Sequence, residues 1–398
     1  MNRPIRVLFI PQWYPSNNGT IQCGLGCQEH VRAAALYGNV AVLVFTSRLQ
    51  RWPTMHWQQV DDNGVPTFYA THGHSPLPRT TRPFFYFHLW RAIRRIIEEW
   101  GRPDVIHTQD AYGYYVIKAA QGLRIPFVIS QHWSCFLERS LNPGEVRRFA
   151  WAFARAARVL PANKFATKDY REYGLQPPVT WLPNTFDTEV FQPPLDVIRE
   201  PWLLHASGFT AEKRFPDILR AFARVRSQRP EAILQVVGNG KNRTEMEALA
   251  ARDLPARSFH FHGYLPKPAL ADLMRRASGY VHPSSVETFG CVLMEAMACG
   301  CPVLTTRVGG VPAVVRDGEG IFVEVGNIDQ ITQEMLTLLD GTHGLALPRI
   351  SFETRQRFSH EAVGRILHEE YLRAALPNGL PGDQHRNVPG ALANENRH

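Results

Sequence analysis

Residues 281–310 read VHPSSVETFGCVLMEAMACGCPVLTTRVGG, and they indicate the fold class of the chain. An apolar run ends at Pro283, a short polar loop follows, and a second apolar run of helical length begins after Gly290. Gly300 is a suitable residue to end that helix, and a further apolar run follows it. This order predicts a strand, a loop, a helix and a second strand, which is the repeating unit of parallel α/β sheets.

Two acidic residues in this unit indicate its ligand. Glu287 falls in the loop and Glu295 about one and a half turns into the helix, roughly 8 Å along its axis. Ligands of such sheets bind at the carboxyl ends of the strands, and the free N–H groups of a helix N-terminus suit a phosphate. Carboxylates repel phosphate and bind hydroxyl groups instead. The pattern therefore predicts a nucleotide sugar, whose diphosphate lies between two hydroxyl-bearing rings.

The bulk composition is that of a two-domain globular protein. The chain has 398 residues, enough for two domains of roughly 180 to 200 residues. It contains no apolar run of about 18 residues, and its start lacks the pattern of a signal peptide. Six cysteines are too few for a disulfide framework, and Cys23/Cys27 and Cys299/Cys301 lack a second pair of zinc ligands. We therefore expect a cytoplasmic protein without a metal.

The charge is unevenly distributed. Residues 1–183 hold 21 Lys and Arg against 11 Asp and Glu, so the whole net charge of +8 comes from the first half. A basic half can face anionic lipid, an acidic acceptor or nucleic acid. No nucleic-acid motif is present, so we expect no nucleic-acid partner.

Strand-like and helix-like runs alternate along both halves, which predicts two α/β units with parallel sheets. The predicted strands are 6–10, 40–45, 105–107, 127–130 and 159–161, then 202–205, 233–237, 259–261, 279–283 and 303–306. The predicted helices are 28–36, 84–100, 113–120, 215–225, 244–249, 267–276, 291–299 and, after the second unit, 352–374. Residues 377–398 are rich in Pro, Gly and Asn, and we expect them to be disordered.

From about residue 203 to residue 339 the chain resembles the retaining glycosyltransferases of family 4, the glycosyl transferases of group 1. The resemblance is carried, in order, by LLHASGFTAEKRFPDILRAF (203–222), ILQVVGNGKNRTEMEAL (233–249), FHFHGYLPKPALADLMRRASGYVHPS (259–284) and VETFGCVLMEAMACGCPVLTTRVGGVPAVV (286–315). The first half matches more loosely through WYPSNNGTIQCGLGCQEHVRAAAL (13–36), PDVIHTQ (103–109), VISQHW (128–133) and WLPNTFDTEVF (181–191).

The resemblance implies the GT-B arrangement, in which two Rossmann-like domains with parallel sheets face each other across a cleft. On this basis residues 1–183 would form the acceptor-binding domain and residues 184–350 the nucleotide-sugar-binding domain. Residues 351–376 would be a C-terminal helix that packs back on the first domain. Retention of the anomeric configuration is likewise implied by the family.

The resemblance also assigns the site residues. Glu295 would hold the ribose hydroxyls, Glu287 a hydroxyl of the donor sugar, and Lys213 the diphosphate, whose charge grows as the glycosidic bond breaks. His132 would reach the donor sugar from the first domain, and Gly24 would let the first loop approach the diphosphate closely. The remaining donor-binding residues would be Gly208, Arg214, Gly238, Tyr264 and the N–H groups of Phe289, Gly290, Cys291 and Val292.

The chain departs from the family at one position in the first donor loop. Many relatives carry an arginine directly after the glycine of this loop, where this chain has Phe209. Either Lys213 alone binds the diphosphate or Arg214 acts as the substitute.

The segment 84–100, FFYFHLWRAIRRIIEEW, has two interpretations. Aromatic residues beside Arg91, Arg94 and Arg95 are typical of a helix on a membrane surface. Apolar residues at helical spacing are equally typical of a helix packed on a sheet.

We therefore expect a retaining, metal-independent glycosyltransferase that moves a sugar from a UDP- or GDP-sugar to an acceptor hydroxyl in the synthesis of cell-surface glycan or glycolipid. Its partners would be the donor, a saccharide, lipid-linked or small-molecule acceptor and, through the first domain, the inner face of an anionic membrane. The alternatives are a soluble or natural-product acceptor, a nucleotide-sugar epimerase and a non-catalytic nucleotide-sugar-binding protein. The sequence leaves the sugar, the base and the acceptor open.

Overall fold

The structure is a computed structural model, and it describes residues 3–15, 24–49, 55–74, 78–196 and 199–376. The described residues form two sheets, one of seven strands and one of six, each covered by helices. The predicted disordered tail, 377–398, lies outside the described residues.

The first sheet has the strand order β3-β4-β2-β1-β5-β6-β7. All of its neighbouring strands are parallel except β3 and β4, which are antiparallel. Its strands are β1 (Arg6–Ile10), β2 (Asn39–Leu49), β3 (Met55–Asp62), β4 (Val65–His74), β5 (Val105–Gln109), β6 (Phe127–Gln131) and β7 (Arg158–Pro161). The helices of this half are α1 (Leu25–Ala35), α2 (Pro78–Glu99), α3 (Tyr112–Ala119), α4 (Pro143–Phe153) and α5 (Ala166–Glu172).

The second sheet has the order β10-β9-β8-β11-β12-β13 and is parallel throughout. Its strands are β8 (Glu200–Ala206), β9 (Ile233–Val237), β10 (Phe259–Gly263), β11 (Ala277–His282), β12 (Val303–Thr306) and β13 (Ile321–Val323). Its helices are α6 (Phe215–Gln228), α7 (Arg243–Asp253), α8 (Lys267–Arg276), α9 (Cys291–Ala298), α10 (Val311–Val314) and α11 (Ile328–Leu339). A single 3-10 turn, Ala211–Lys213, stands between β8 and α6.

The two-unit α/β architecture predicted from the sequence is confirmed, and all ten predicted strands are present. The sequence prediction missed the β3–β4 hairpin, so the first sheet is mixed at its edge rather than purely parallel. The hairpin turns at Asn63 and Gly64, which both have positive φ (55° and 86°), as the commonest two-residue hairpin turns require. An Asn-Gly pair between strand-length runs was the signal that marked it. The short strand β13 and the helices α4, α5 and α11 were also missed.

The predicted single helix over 352–374 is wrong. Two helices occupy this region, α12 (Leu347–Phe358) and α13 (His360–Ala375), with Ser359 extended between them (φ −63°, ψ 161°). The Ser359 side chain accepts a hydrogen bond from the Ala362 N–H and so caps α13, which starts a new helix instead of continuing the old one.

The break lets the two helices lie on different domains. The Ser351 hydroxyl of α12 donates to the carbonyl of Ala298 at the end of α9, on the second domain. Helix α13 packs on α1 and on the first sheet, where the Tyr371 hydroxyl lies 2.7 Å from His107 Nδ1. The chain therefore crosses back to the first domain at Ser359. The domain boundary at residues 183 and 184 stays a prediction.

Candidate functional site

The loop between β11 and α9 carries the principal acid, and glycine fixes its end. Gly290 has a φ of 93° and precedes the first residue of α9, so the chain turns sharply into the helix there. A side chain at this position would press on Leu293 and strain the backbone. The turn leaves the N-terminal N–H groups of α9 at the carboxyl edge of the sheet, next to Glu287.

Glu287 is held by two donors that converge on one of its oxygens. Its Oε2 lies 2.7 Å from Lys213 Nζ and 3.0 Å from His282 Nε2. Burial by itself would raise the pKa of this carboxyl, but the hydrogen bond from His282 and the charge of Lys213 outweigh it and lower the pKa to about 2. Glu287 is therefore ionised, and Oε1 has no hydrogen-bond partner among the residues that the structure describes.

Glu295 is in the opposite electrostatic situation. Burial in α9 raises its pKa to about 7, and the attraction of Lys267 offsets only part of this effect. Within the described ranges its carboxylate has no hydrogen-bond partner. A buried carboxyl group without a hydrogen-bond partner lowers the stability of the fold, because it has lost its contacts with water. Such a group is typical of a ligand-binding site.

Two glycines hold the Glu287 loop from behind. Gly309 has a φ of 51°, and a Cβ there would overlap the carbonyl oxygen of Glu287. A Cβ on Gly310 would overlap the carbonyl oxygen of Thr288, and the Gly310 N–H donates to the Glu287 carbonyl at 3.0 Å. This pair therefore supports the loop that carries the acid, a role that the sequence pattern did not reveal.

The first donor loop follows β8 and presents Lys213. Lys213 ends the 3-10 turn, so its side chain projects from the carboxyl edge of the sheet toward Glu287. Phe209 is turned the other way, with φ 56°, 3% exposure and an edge contact to Phe215 at 5.4 Å. Arg214 Nε lies 2.5 Å from Asp217 Oδ2.

These positions explain the departure from the family pattern at residue 209. Phe209 belongs to the apolar core of the second domain and presents no charge to the cleft. Arg214 precedes α6 and is engaged by Asp217 in the first turn of that helix, so Lys213 is the cation that the structure brings to Glu287. A role for Arg214 in donor binding stays a prediction.

Close backbone packing explains the Gly-x-Gly turn after β9. A Cβ on Gly238 would overlap the Ser207 carbonyl, and one on Gly240 would overlap the Gly208 carbonyl. The turn therefore fixes the position of the first donor loop. A Cβ added to Gly208, in that loop, would meet no other atom of the described residues within 4 Å. Tyr264 follows β10 at the same sheet edge and is 43% exposed.

A cavity of about 430 Å³ lies between the two domains. Its described lining comes from both sides of the cleft: Trp13, Gly24, Gly26, Cys27, Gln109, Asp110, His132, Asn184 and Cys291. Gly24 has a φ of 87°, and a Cβ there would overlap the backbone of Trp13. The glycine therefore allows close packing of the loop that forms the cavity wall.

Asp110 and His132 form the first-domain side of the cavity. Asp110 Oδ1 accepts the N–H groups of His132 and Trp133 at 2.7 and 3.0 Å, so the carboxylate fixes the turn after β6. Burial raises the pKa of Asp110 to about 6 and lowers that of His132 to about 4. His132 is therefore neutral at pH 7, and its buried Nε2 has no hydrogen-bond partner among the described residues.

A buried ion cluster joins the domains. Glu29 on α1 is 1% exposed and receives Lys267 Nζ at 2.5 Å, His360 Nε2 at 2.6 Å and an Arg32 nitrogen at 3.1 Å. Burial opposes its ionisation, but the hydrogen bond from His360 and the charge of Lys267 lower its pKa to about 2. These partners come from the first domain, from α8 of the second and from α13. Sequence reasoning missed this cluster because its members are distant along the chain; an acid inside an amphipathic helix was the available signal.

The structure thus gathers most of the predicted residues at one cleft. Lys213, Glu287 and the start of α9 are together, and Cys291 shares the cavity with His132 and Gly24. Phe289 is buried against Phe358, so only its backbone can face a ligand. Among the described residues no three His, Cys, Asp or Glu side chains gather as a metal site. No helix in the described part of the chain is both long and apolar enough to cross a membrane.

Comparison with known proteins identifies the family. A model of "Glycosyl transferases group 1" matches residues 188–363, and one of "Glycosyltransferase Family 4" matches residues 38–190. The two matches follow each other along the chain and correspond to its two α/β units. The chain belongs to this family of glycosyltransferases.

Two curated relatives illustrate the range of the family. N-acetyl-alpha-D-glucosaminyl L-malate synthase of Bacillus anthracis is 34% identical over 145 residues, which are 35% of this chain and 36% of that protein. A D-inositol 3-phosphate glycosyltransferase of Acidothermus cellulolyticus is 30% identical over 284 residues, 63% of each protein. The first match thus spans about a third of the relative's length.

Solved structures share the fold. Sucrose-phosphate synthase from Thermosynechococcus elongatus superposes with a TM-score of 0.73 at 19% identity and covers 92% of this chain and 98% of that one. HepE of Anabaena in complex with UDP-glucose gives a TM-score of 0.70 at 17% identity, with coverage of 92% and 98%. These neighbours confirm the predicted GT-B fold class.

Proposed function

We propose that this protein is a retaining glycosyltransferase that transfers a sugar from a nucleoside-diphosphate sugar, UDP- or GDP-linked, to an acceptor hydroxyl. The observation that carries the proposal is the Lys213–Glu287 contact of 2.7 Å beside the N-terminus of α9. This contact brings together a cation, an ionised acid and the free N–H groups at the start of α9. A diphosphate with a hydroxyl-bearing sugar has the matching chemistry.

Each group has a distinct task in this scheme. Lys213 and the N–H groups of α9 stabilise the negative charge that develops on the leaving diphosphate. Glu295 accepts hydrogen bonds from the ribose hydroxyls. These hydroxyls supply the donors that the Glu295 carboxylate lacks among the described residues, and so favour its ionised form. Glu287 Oε1 accepts from a hydroxyl of the donor sugar. His132, neutral and without a partner on Nε2 among the described residues, meets the sugar from the other domain.

The acceptor enters the cavity on the first-domain side. Gln109 Oε1 is buried without a described partner, and Asp110 lines the same cavity, so both can accept hydrogen bonds from hydroxyl groups. Trp13 is 53% exposed beside them and offers an aromatic face to a sugar ring. These groups favour a hydroxyl-rich acceptor, such as a saccharide of a cell-surface glycan or glycolipid. A small soluble acceptor is the alternative.

For retention, we propose a reaction on one face of the sugar. The acceptor oxygen bonds to the anomeric carbon as the bond to the diphosphate oxygen breaks, and the acceptor's proton passes to that departing oxygen. The charge is balanced without a metal, because Lys213 and the helix N-terminus neutralise the diphosphate. Closure of the domains around the cavity would exclude water and limit hydrolysis of the donor.

A second contact, with an anionic membrane surface, is supported by α2. Leu89 and Ile93 of this helix are fully buried on the sheet, whereas Phe84 and Phe87 are 41% and 50% exposed. The Arg91 guanidinium lies 5.8 Å from the Phe87 ring centre, so a cation and exposed aromatic rings share the outer face. The buried face agrees with packing on the sheet, and the outer face supports the proposed membrane contact. Flotation with vesicles containing phosphatidylserine tests the contact, and a Phe87→Ser variant should float less.

The first experiment is a screen of UDP-, GDP- and ADP-sugars for thermal stabilisation, since a bound donor raises the melting temperature. The donor that stabilises is then incubated with candidate saccharides in the presence and absence of EDTA. Release of nucleoside diphosphate only with acceptor supports transfer and excludes an epimerase, and NMR of the product's anomeric proton tests retention. No stabilisation by any donor would contradict the proposal.

A further inference from the structure

The residue that precedes the Glu287 loop has no role in the scheme so far. His282 is the last residue of β11, is 3% exposed, and directs Nε2 at Glu287 Oε2 from 3.0 Å. A carboxylate without its proton can only accept a hydrogen bond. Nε2 of His282 therefore carries the proton, and the imidazole is a donor to the acid.

The His282 ring is fixed from several sides. Tyr280, two residues earlier on the same strand, shares its face of the sheet. Its hydroxyl donates to the Ala206 carbonyl at 3.1 Å, and the hydroxyl oxygen lies 3.2 Å from His282 Nδ1. His205 of β8 stacks on the ring with centres 5.9 Å apart. The Thr305 hydroxyl donates to the His282 carbonyl at 3.0 Å, so the backbone is anchored as well.

The neighbouring histidine does not compete for Glu287. His205 Nδ1 lies 2.8 Å from the Val281 carbonyl and Nε2 lies 2.8 Å from the Ser207 hydroxyl. Burial, together with repulsion from His282, lowers the pKa of His205 to about 3, so it stays neutral. His282 is thus the one of the two histidines that contacts the acid.

The second donor to Glu287 has another task. Lys213 shares Oε2 with His282, and in the proposed reaction its ammonium also serves the diphosphate. When Lys213 turns toward the phosphate, Glu287 would lose its orientation if no other group held it. A histidine fixed in the sheet keeps Oε2 in place and leaves Oε1 facing the sugar.

We propose that His282 is a positioning residue that holds Glu287 for the donor sugar through Nε2, while Tyr280 sets the orientation of its ring. The inference rests on the proposed function, because it assigns Glu287 to the sugar. In this proposal the nucleotide and the sugar of the donor are recognised by different residues. Helix α9 and Glu295 bind the nucleotide, whereas Glu287, held by His282, binds the sugar.

The test compares two amides at position 282. The side-chain N–H of Gln reaches the place of Nε2, whereas that of Asn is one bond shorter and cannot reach Glu287. We expect His282→Asn to weaken binding of the nucleotide sugar identified in the screen, and to raise its KM, by about tenfold, the usual effect of a lost hydrogen bond to a charged group. Affinity for the free nucleoside diphosphate should change less than about twofold, and His282→Gln should restore most of the loss.

A double-mutant cycle with Glu287→Gln makes the measurement specific. If His282 acts through Glu287, His282→Asn has little further effect in the Glu287→Gln background. Tyr280→Phe should weaken nucleotide-sugar binding in the same direction, by a smaller factor.

The proposal is overturned if His282→Asn lowers the affinity for the nucleoside diphosphate as much as for the nucleotide sugar. It is equally overturned if Asn and Gln behave alike, or if the effects of His282→Asn and Glu287→Gln are additive. Failure of the proposed function is distinguishable, because the wild-type protein would then bind no nucleotide sugar at all.

Discussion

The two sheet edges that face the cleft differ in charge. On the second domain, an ionised Glu287 contacts Lys213 and His282 beside a helix N-terminus. On the first domain, the corresponding edge carries a neutral His132 and an Asp110 whose pKa is raised to about 6 by burial. In the proposed function this difference corresponds to a division of labour, in which one domain binds the anionic donor and the other binds the uncharged hydroxyl acceptor.

The largest effect is expected at the charged edge. Lys213→Met removes the cation that we propose binds the diphosphate, and we expect kcat to fall by about 10² to 10³-fold, as for other groups that stabilise developing negative charge. The exposed Lys241 in the loop after β9 is the matched control, and Lys241→Met should leave kcat unchanged. Steady-state assays of nucleoside diphosphate release measure both variants. Equal effects of the two substitutions would remove the charge asymmetry on which the comparison rests.

The link between the domains comes next. Glu29→Ala leaves Lys267 and His360 without their buried acceptor, and we expect a loss of about 3 kcal/mol in the free energy of unfolding. The pKa of Glu29 is lowered to about 2, so its contribution is present above pH 4.5 and is lost as the pH falls toward 2.

Urea denaturation between pH 3 and 7 measures this dependence. The control is Glu98→Ala, which breaks an exposed pair with Arg94 at 3.8 Å and should cost less than about 1 kcal/mol. A Glu29→Ala variant as stable as the control would mean that the cluster does not join the domains.

Glu295→Gln should separate stability from binding. The pKa of Glu295 is raised from 4.5 to about 7, so the folded wild type loses stability as the pH rises between these values. The variant does not ionise, and at pH 8 we expect it to be more stable than the wild type by about 1 to 3 kcal/mol. Its affinity for the nucleoside diphosphate should fall about tenfold, because an amide is a weaker acceptor for the ribose hydroxyls.

Thermal unfolding at pH 5 and pH 8 and calorimetric titration with the diphosphate give the two quantities. A variant that gains stability and keeps its nucleotide affinity would show that Glu295 is not a ribose ligand.

The smallest effect is expected at Arg214. Its guanidinium is paired with Asp217, so Arg214→Gln should change the KM for the donor by less than about threefold. The same assay that serves Lys213→Met measures it. A change as large as that of Lys213→Met would show that Arg214 leaves Asp217 for the diphosphate and replaces the arginine that many relatives carry at the position of Phe209.

Local order in the sequence determined much of the second domain. Lys213 and Glu287 each lie between a strand and the helix that follows it, and parallel strands bring their carboxyl ends to one edge. The position of Glu287 beside a helix N-terminus could therefore be predicted from residues 281–310 alone. The ten strands could be predicted from local sequence as well, because each is a short apolar run between turn residues.

Tertiary structure decided what depends on contacts between distant segments. The sequence did not reveal that Glu29 bonds to Lys267 and His360, 238 and 331 residues away. It did not predict that the terminal helix breaks at Ser359 and crosses between the domains, because helical periodicity runs through the break. The pKa values of Glu287 and Glu295 diverge for a similar reason. Both acids lie in one short segment, and burial and the partners brought by other strands and helices set their charge.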